Sequence, residues 1–191
     1  MGEFSIGQSP TRLEDQRLLT GQGRFLDDIN YNRQLRAVIL RSPHAHAKIL
    51  SIDTAAAKAA PGVHGVFTGE DYRADGMGVV PCMGDYNHRN GGLMYIPDRP
   101  ALAVGKVMHI GYPVVLVVAE TENQARDACE LIDVDYEVLP AVTSCRDAFE
   151  DGAPQLYEDC PNNESYLYSA GDKAGTDKAF EEADHVVSHH L

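Results

Sequence analysis

The sequence predicts an α/β fold, a mixed sheet with helices packed on it, preceded by an extended N-terminal arm. Three observations carry this prediction. Short β-branched runs such as Val38-Ile39-Leu40 and Val114-Val115-Leu116-Val117-Val118 read as strands. Ala125, Ala128, Cys129 and Ile132 stand at i, i+3, i+4 and i+7, the spacing of one buried helical stripe. Between these segments the order is strand, helix, strand, as in layered α/β domains.

Residues 1 to 33 are polar, rich in Gly, Arg and Asp, and have no sustained period, so they read as an arm that needs a surface to lie against. Arg12, Glu14, Asp15, Arg17 and Arg24 alternate in sign around Leu18, Leu19 and Phe25. That pattern suits docking through apolar anchors flanked by ion pairs, with Arg12, Arg17, Leu18, Leu19, Arg24 and Phe25 as the contacts. Gly21 and Gly23 would permit positive φ where the arm turns. Because Gly21-Gln22-Gly23 precedes a strand and no helix, it lacks the aligned amides that hold a phosphate.

Leu35, Val38, Ile39 and Leu40 predict a buried strand ending at Ser42-Pro43, and Ile49 and Ile52 a second. Thr54 can cap a short helix through Ala55, Ala56, Ala57, Ala59 and Ala60, which Pro61-Gly62 stops. Val63, Val66 and Phe67 give a third strand closed by Thr68-Gly69-Glu70-Asp71. Residues 73 to about 100 have no apolar period and exceed the usual length of a connector, which marks a functional or disordered loop. Its apolar members are Met77, Val79, Val80, Met83 and Tyr86.

Val107 to Ile110 and Val114 to Val118 predict two strands separated by Gly111-Tyr112-Pro113, the second apolar on both faces and therefore central. Thr121 and Glu122 open the striped helix, and Val134, Tyr136 and Val138 then alternate with Asp135 and Glu137 as in a strand with one wet face. The tail reads as a loop near Cys160, a short strand from Tyr166, a helix from about Thr176 to Ala183 and a strand from His185. His185 to Leu191 has strand composition with no closing turn, which predicts that the polypeptide continues or pairs with another chain.

With 191 residues one buried core is the expectation. No run approaches the roughly 18 apolar residues of a membrane-spanning helix, and Met1-Gly2-Glu3-Phe4-Ser5 has no secretion-signal pattern, so the cytoplasm is the expected compartment. A net charge of −13 without a basic stripe argues against nucleic acid as a partner. Cys82, Cys129, Cys145 and Cys160 have neither C-x-x-C spacing nor the grouping an iron-sulfur cluster requires. His44-Ala45-His46 could place two imidazoles on one face of a strand, but no third ligand stands at matched spacing, so hydrogen-bonded histidines are expected and no metal site is assigned. His189 and His190 would point to opposite faces of a strand and are unsuited to joint chelation.

Four separated blocks carry a family likeness: Arg12 to Phe25 with Asp27-Asp28; Arg41-Ser42-Pro43-His44-Ala45-His46-Ala47 with Ser51-Ile52-Asp53; Pro61-Gly62-Val63 with Thr68-Gly69; and Pro113-Val114 through Val117-Val118-Ala119 with Val134-Asp135-Tyr136-Glu137 and Leu139-Pro140. In residues and in order they resemble the large subunits of the xanthine dehydrogenase, aldehyde oxidase and carbon monoxide dehydrogenase family of molybdenum hydroxylases, across essentially the whole chain. The resemblance implies an α/β hammerhead over residues 34 to 145, preceded by a docking arm (1 to 33) and followed by a connector into the molybdopterin-binding region (146 to 191).

It further implies that catalytic residues lie on later domains or a partner chain, so no catalytic residue is assigned here. Molybdopterin, 2Fe-2S clusters and FAD are expected in the full assembly and none on this chain alone. The implied partners are the downstream molybdopterin-binding domains, separate iron-sulfur and flavin subunits, and a small substrate of the aldehyde, N-heterocycle or carbon monoxide class.

In related enzymes the stretch after Thr68-Gly69 resembles a wall of the substrate channel, which makes Met77, Val79, Val80, Met83 and Tyr86 channel candidates, with gap-filling at a domain interface as the other reading. Tyr112 departs from the acidic or amide residue many family members carry before this strand. It either packs at the strand end or touches substrate. A free-standing binding module of the same fold without redox activity is the alternative function.

Overall fold

A computed structural model describes residues 7, 9 to 84, 86 and 91 to 189. The predicted α/β architecture resolves into two three-stranded sheets. In the first, β1 (Arg36–Arg41) and β3 (Val63–Thr68) flank β5 (Pro113–Ala119), both antiparallel to it. In the second, β2 (Ala47–Asp53) lies between β4 (Lys106–Val107) and β6 (Asp133–Val138), again antiparallel.

The run apolar on both faces is central, as predicted: Val114, Val115 and Val117 of β5 are fully buried. β1 is an edge strand with alternating burial, so Val38 and Leu40 face the core while Leu35 and Ile39 remain exposed, where four buried residues were expected. The strand expected over Val107 to Ile110 shrinks to Lys106–Val107. Its chain turns away at Gly111, whose N–H bonds the Ser42 carbonyl at 2.8 Å. In β6 Val134 and Tyr136 point inward, but Val138 at the strand end is exposed.

The helix after Thr121 is α4 (Glu122–Glu130), following α1 (Asp15–Leu19), α2 (Ala55–Lys58) and α3 (Gly69–Ala74). Thr121 Oγ1 accepts the Gln124 N–H while Gln124 Oε1 accepts the Thr121 N–H, a reciprocal cap that satisfies two otherwise orphaned amides. Ala125 and Ala128 are fully buried and Cys129 half-buried, so small side chains let α4 lie close on β1 and β5. Ile132 follows the helix end and packs against the same core.

One apolar cluster spans both sheets, from Ala47 and Val107 to Val66, Val115 and Ala119, with Ala57 of α2 and the α4 alanines. Gly62, at φ +78°, turns α2 into β3, and a Cβ there would stand 2.1 Å from Gln124 Nε2.

Three differences from the sequence reading concern the ends and one junction. The arm is not wholly extended: α1 ends in a Schellman turn, with Gln22 N–H on the Arg17 carbonyl, Gly21 N–H on the Leu18 carbonyl and Gly21 at φ +71°. Gly23 has no positive φ; a Cβ there would collide with Leu18 Cδ2 at 2.7 Å.

Thr68 does not merely close β3. It caps α3, its Oγ1 accepting the Asp71 N–H while Asp71 Oδ2 accepts the Thr68 N–H. In the tail, α5 (Lys173–Glu181) begins before the expected Thr176, because the Asp172 carboxylate accepts the Gly175 N–H. The segments expected as strands after Tyr166 and from His185 to His189 form none, since neither finds a neighbouring strand among the described residues. His190 and Leu191 lie outside the described residues.

Candidate functional site

The long stretch after α3 has almost no regular structure, yet hydrogen bonds fold it back on itself. Val80 N–H donates to the Arg99 carbonyl at 2.8 Å and Met94 N–H to the Tyr86 carbonyl at 3.2 Å. The returning limb is then pinned to the tail. Tyr95 N–H donates to the Ser165 carbonyl at 2.7 Å, Ser165 Oγ donates to the Tyr95 carbonyl at 2.8 Å, and the Tyr95 hydroxyl donates to Asp159 Oδ1 at 2.6 Å. That last bond holds the Tyr95 proton and raises its pKa.

A cavity of about 460 Å³ lies between this doubled loop, the residues leading into β5 and the 156–165 segment. Arg99, Tyr112, Tyr157 and His109 bring polar groups to it, and Met94, Ile96, Met108 and Leu156 form much of the apolar wall. Tyr112 is positioned by its backbone: its carbonyl accepts the Ser42 N–H at 2.9 Å, and its ring centroid is 4.8 Å from that of His109. Burial raises the Tyr112 and Tyr157 phenols, and the nearby Arg99 charge partly offsets this in both. Both hydroxyls therefore stay protonated and can donate at neutral pH.

The sequence candidates distribute unevenly. Val80 and Tyr112 line this cavity. Met77 and Val79 line a separate hollow of about 300 Å³ with Tyr72 and Pro100. Tyr86 stacks on Tyr166, centroids 5.2 Å apart, and meets Tyr168 edge-on at 6.4 Å. Met83 is 93% exposed. Arg99, Tyr157 and His109 were missed by sequence reasoning. Arg99 stands in an irregular Pro97-Asp98-Arg99-Pro100 segment that resembles any polar loop, and Tyr157 reaches the cavity from a distant part of the chain.

On the arm, Leu19 and Phe25 are largely exposed and Leu18 is 38% exposed, while Arg17 reaches Glu14 at 3.3 Å. Arg12 donates its backbone N–H to Asp15 Oδ2 at 3.3 Å, and Arg24 is exposed.

The two histidines of His44-Ala45-His46 sit in an irregular turn and serve different partners. His44 packs edge-on against Tyr136 at 4.9 Å, while buried His46 places Nδ1 2.9 Å from the Pro140 carbonyl. Among the described residues no three His, Cys, Asp or Glu side chains gather into a metal-holding group, and the cysteines are all free thiols. Among the described residues there is thus no grouped set of thiolates that could ligate an iron-sulfur cluster. No helix among the described residues is long and apolar enough to cross a membrane.

The family described as "Aldehyde oxidase and xanthine dehydrogenase, a/b hammerhead domain" matches residues 20–140. The nicotine 6-hydroxylase large subunit of Paenarthrobacter nicotinovorans is 40% identical over 96% of this chain and 21% of its own length. The structure of reconstituted CO dehydrogenase from Oligotropha carboxidovorans superposes with a TM-score of 0.75 at 35% identity, covering 94% of this chain and 22% of that one. The crystal structure of quinoline 2-oxidoreductase from Pseudomonas putida gives 0.67 at 42% identity, covering 80% and 19%. This chain therefore spans about a fifth of the length of the relatives it matches. With the two antiparallel sheets, the capped α4 and the matched residues in agreement, the chain belongs to the aldehyde oxidase and xanthine dehydrogenase family, whose a/b hammerhead domain it contains.

Proposed function

We propose that this chain is the shape-giving hammerhead part of a molybdopterin-dependent hydroxylase, with the hydroxylation chemistry on domains or chains other than the residues described. The observation that carries the reading is the alignment of nearly the whole chain with about a fifth of a nicotine hydroxylase large subunit. Molybdopterin, iron-sulfur clusters and FAD belong in this reading to the full assembly, where they accept electrons from an aldehyde, N-heterocyclic or carbon monoxide class substrate. The arm of residues 1 to 33 docks on a neighbouring domain through Leu18, Leu19 and Phe25, whose exposure leaves apolar surface to cover. The core of 34 to 145 supports the substrate passage, and 146 to 191 lead toward the cofactor-binding region.

In this reading Met77, Val79, Val80, Met83, Tyr86 and Tyr112, which lie on two hollows and exposed surface of this chain, wall the passage once the rest of the assembly covers them; flexible and aromatic side chains suit a passage that must admit an apolar substrate. The test replaces Met77, Val79 and Met83 together by Ala in the assembled enzyme. The expected result is a change in KM of about threefold or more and a shifted substrate preference with kcat largely kept. Unchanged KM and preference would overturn the channel role.

A further inference from the structure

We propose that the cavity between the doubled loop and the start of β5 is a binding site for a small aromatic carboxylate, held by the Arg99 guanidinium and the Tyr112 and Tyr157 hydroxyls. The site shares Val80 and Tyr112 with the proposed passage, and equilibrium binding to the protein is read separately from the KM and substrate preference that test the passage.

Its volume of about 460 Å³ falls within the roughly 300–1,000 Å³ typical of small-molecule sites. The charge of its lining is one-sided. No Asp or Glu lines it, and among the described residues no carboxylate lies within ion-pair distance of Arg99. In a chain of net charge −13, the exposed Arg99, lining a cavity with no Asp or Glu in its wall, is a local cationic group in an otherwise acidic protein.

Arg99, Tyr112 and Tyr157 all line this one cavity, which puts a cation and two hydroxyls on its wall. A guanidinium fork offers paired donors and no acceptor, and a neutral phenol can donate once. This donor set matches the two oxygens of a carboxylate.

The remaining wall selects the body of the ligand. Ile96, Pro97, Met108 and Leu156 present apolar surface, and the His109 and Tyr112 rings add flat faces. A planar hydrocarbon fits these better than a sugar or phosphate does. A lone Asp or Glu side chain from a neighbouring chain would satisfy the cationic end and leave the apolar end unfilled; an aromatic acid fills both.

Calorimetric titration of the purified protein with benzoate tests the site, with benzamide as a neutral probe of the same shape. Benzoate should bind with one-to-one stoichiometry and a Kd on the order of 1 mM or tighter. Benzamide should bind about tenfold more weakly. Arg99→Gln, an exposed change that leaves the core untouched, should weaken benzoate by about tenfold, and Tyr112→Phe by about threefold, with thermal unfolding checking that each variant folds. Absence of benzoate binding, equal binding of benzamide, or full benzoate affinity in Arg99→Gln would each overturn the assignment.

Discussion

Tyr95 and Ser165, seventy residues apart, clasp each other twice: the Tyr95 amide donates to the Ser165 carbonyl, and the Ser165 hydroxyl returns a bond to the Tyr95 carbonyl. The clasp closes the returning limb of the long loop onto the tail and so sets one wall of the cavity. Ser165→Ala removes one of the two bonds in a part-buried setting and should cost about 1 kcal/mol. The expected signature is faster amide hydrogen exchange at Tyr95 and its neighbours with little change in α4. Unchanged exchange there would show that the clasp does not hold the limb.

Gly69 lies buried at the start of α3, and a Cβ on it would stand 2.0 Å from the Ala103 carbonyl oxygen. Backbone cannot swing aside as a long side chain can, so Gly69→Ala must separate α3 from the 102–103 segment. A loss of about 2–3 kcal/mol is expected, as for overpacked cores. Denaturant unfolding checks it, with Gly78→Ala, where nothing lies within 4 Å, as the near-neutral comparison.

The reciprocal cap between Thr68 and Asp71 makes stability depend on acid. Hydrogen bonds from the Thr68 amide, then from its hydroxyl, lower the Asp71 pKa below its ordinary 3.8. A carboxylate with a depressed folded-state pKa stabilises the fold fully above the unfolded value, and the contribution is lost as pH falls through the folded one. Thr68→Ala should cost about 1 kcal/mol at pH 7. The difference between Asp71→Asn and the parent should shrink as pH drops below about 4. A pH-independent difference would contradict the assignment.

The four thiols should separate by reactivity. Cys82 and Cys145 are exposed, whereas burial raises the pKa of half-buried Cys129 and of buried Cys160, the latter pushed further by Asp159 and Glu164. Since the thiolate is the reactive species, titration with a disulfide reagent near pH 8 should give a fast phase from Cys82 and Cys145 and a slow phase from the other two. Cys82→Ser and Cys145→Ser should each remove part of the fast phase.

Burial also delays ionisation of Tyr112, Tyr136 and Tyr157, and the bond to Asp159 does the same for Tyr95. Alkaline spectrophotometric titration should therefore show these four of the nine tyrosines ionising late. Asp159→Asn should bring one of them earlier.

What the residues determined unaided was local. The Val114 to Val118 run had to be central because it is apolar on both faces, and the alanine stripe of α4 with its Thr121 cap had to form a helix lying on the sheet. The matching blocks from the arm to Leu139-Pro140 were likewise legible, since they are short stretches of contiguous sequence. Even the missed α3 left a local signal, a Thr68-x-x-Asp71 pair placed to cap a helix.

Tertiary structure alone decided that the six strands of the described residues divide between two sheets, that the strand expected over Val107 to Ile110 stops at Val107, and that the strand-like tail finds no partner among the described residues. It also decided that Arg99, Tyr112 and Tyr157 share one cavity. The reason is physical: helix and strand periods are imposed by neighbours a few residues apart and remain visible in sequence. A hydrogen bond such as Tyr95 to Ser165, or a shared cavity wall, joins residues whose separation along the chain follows no period.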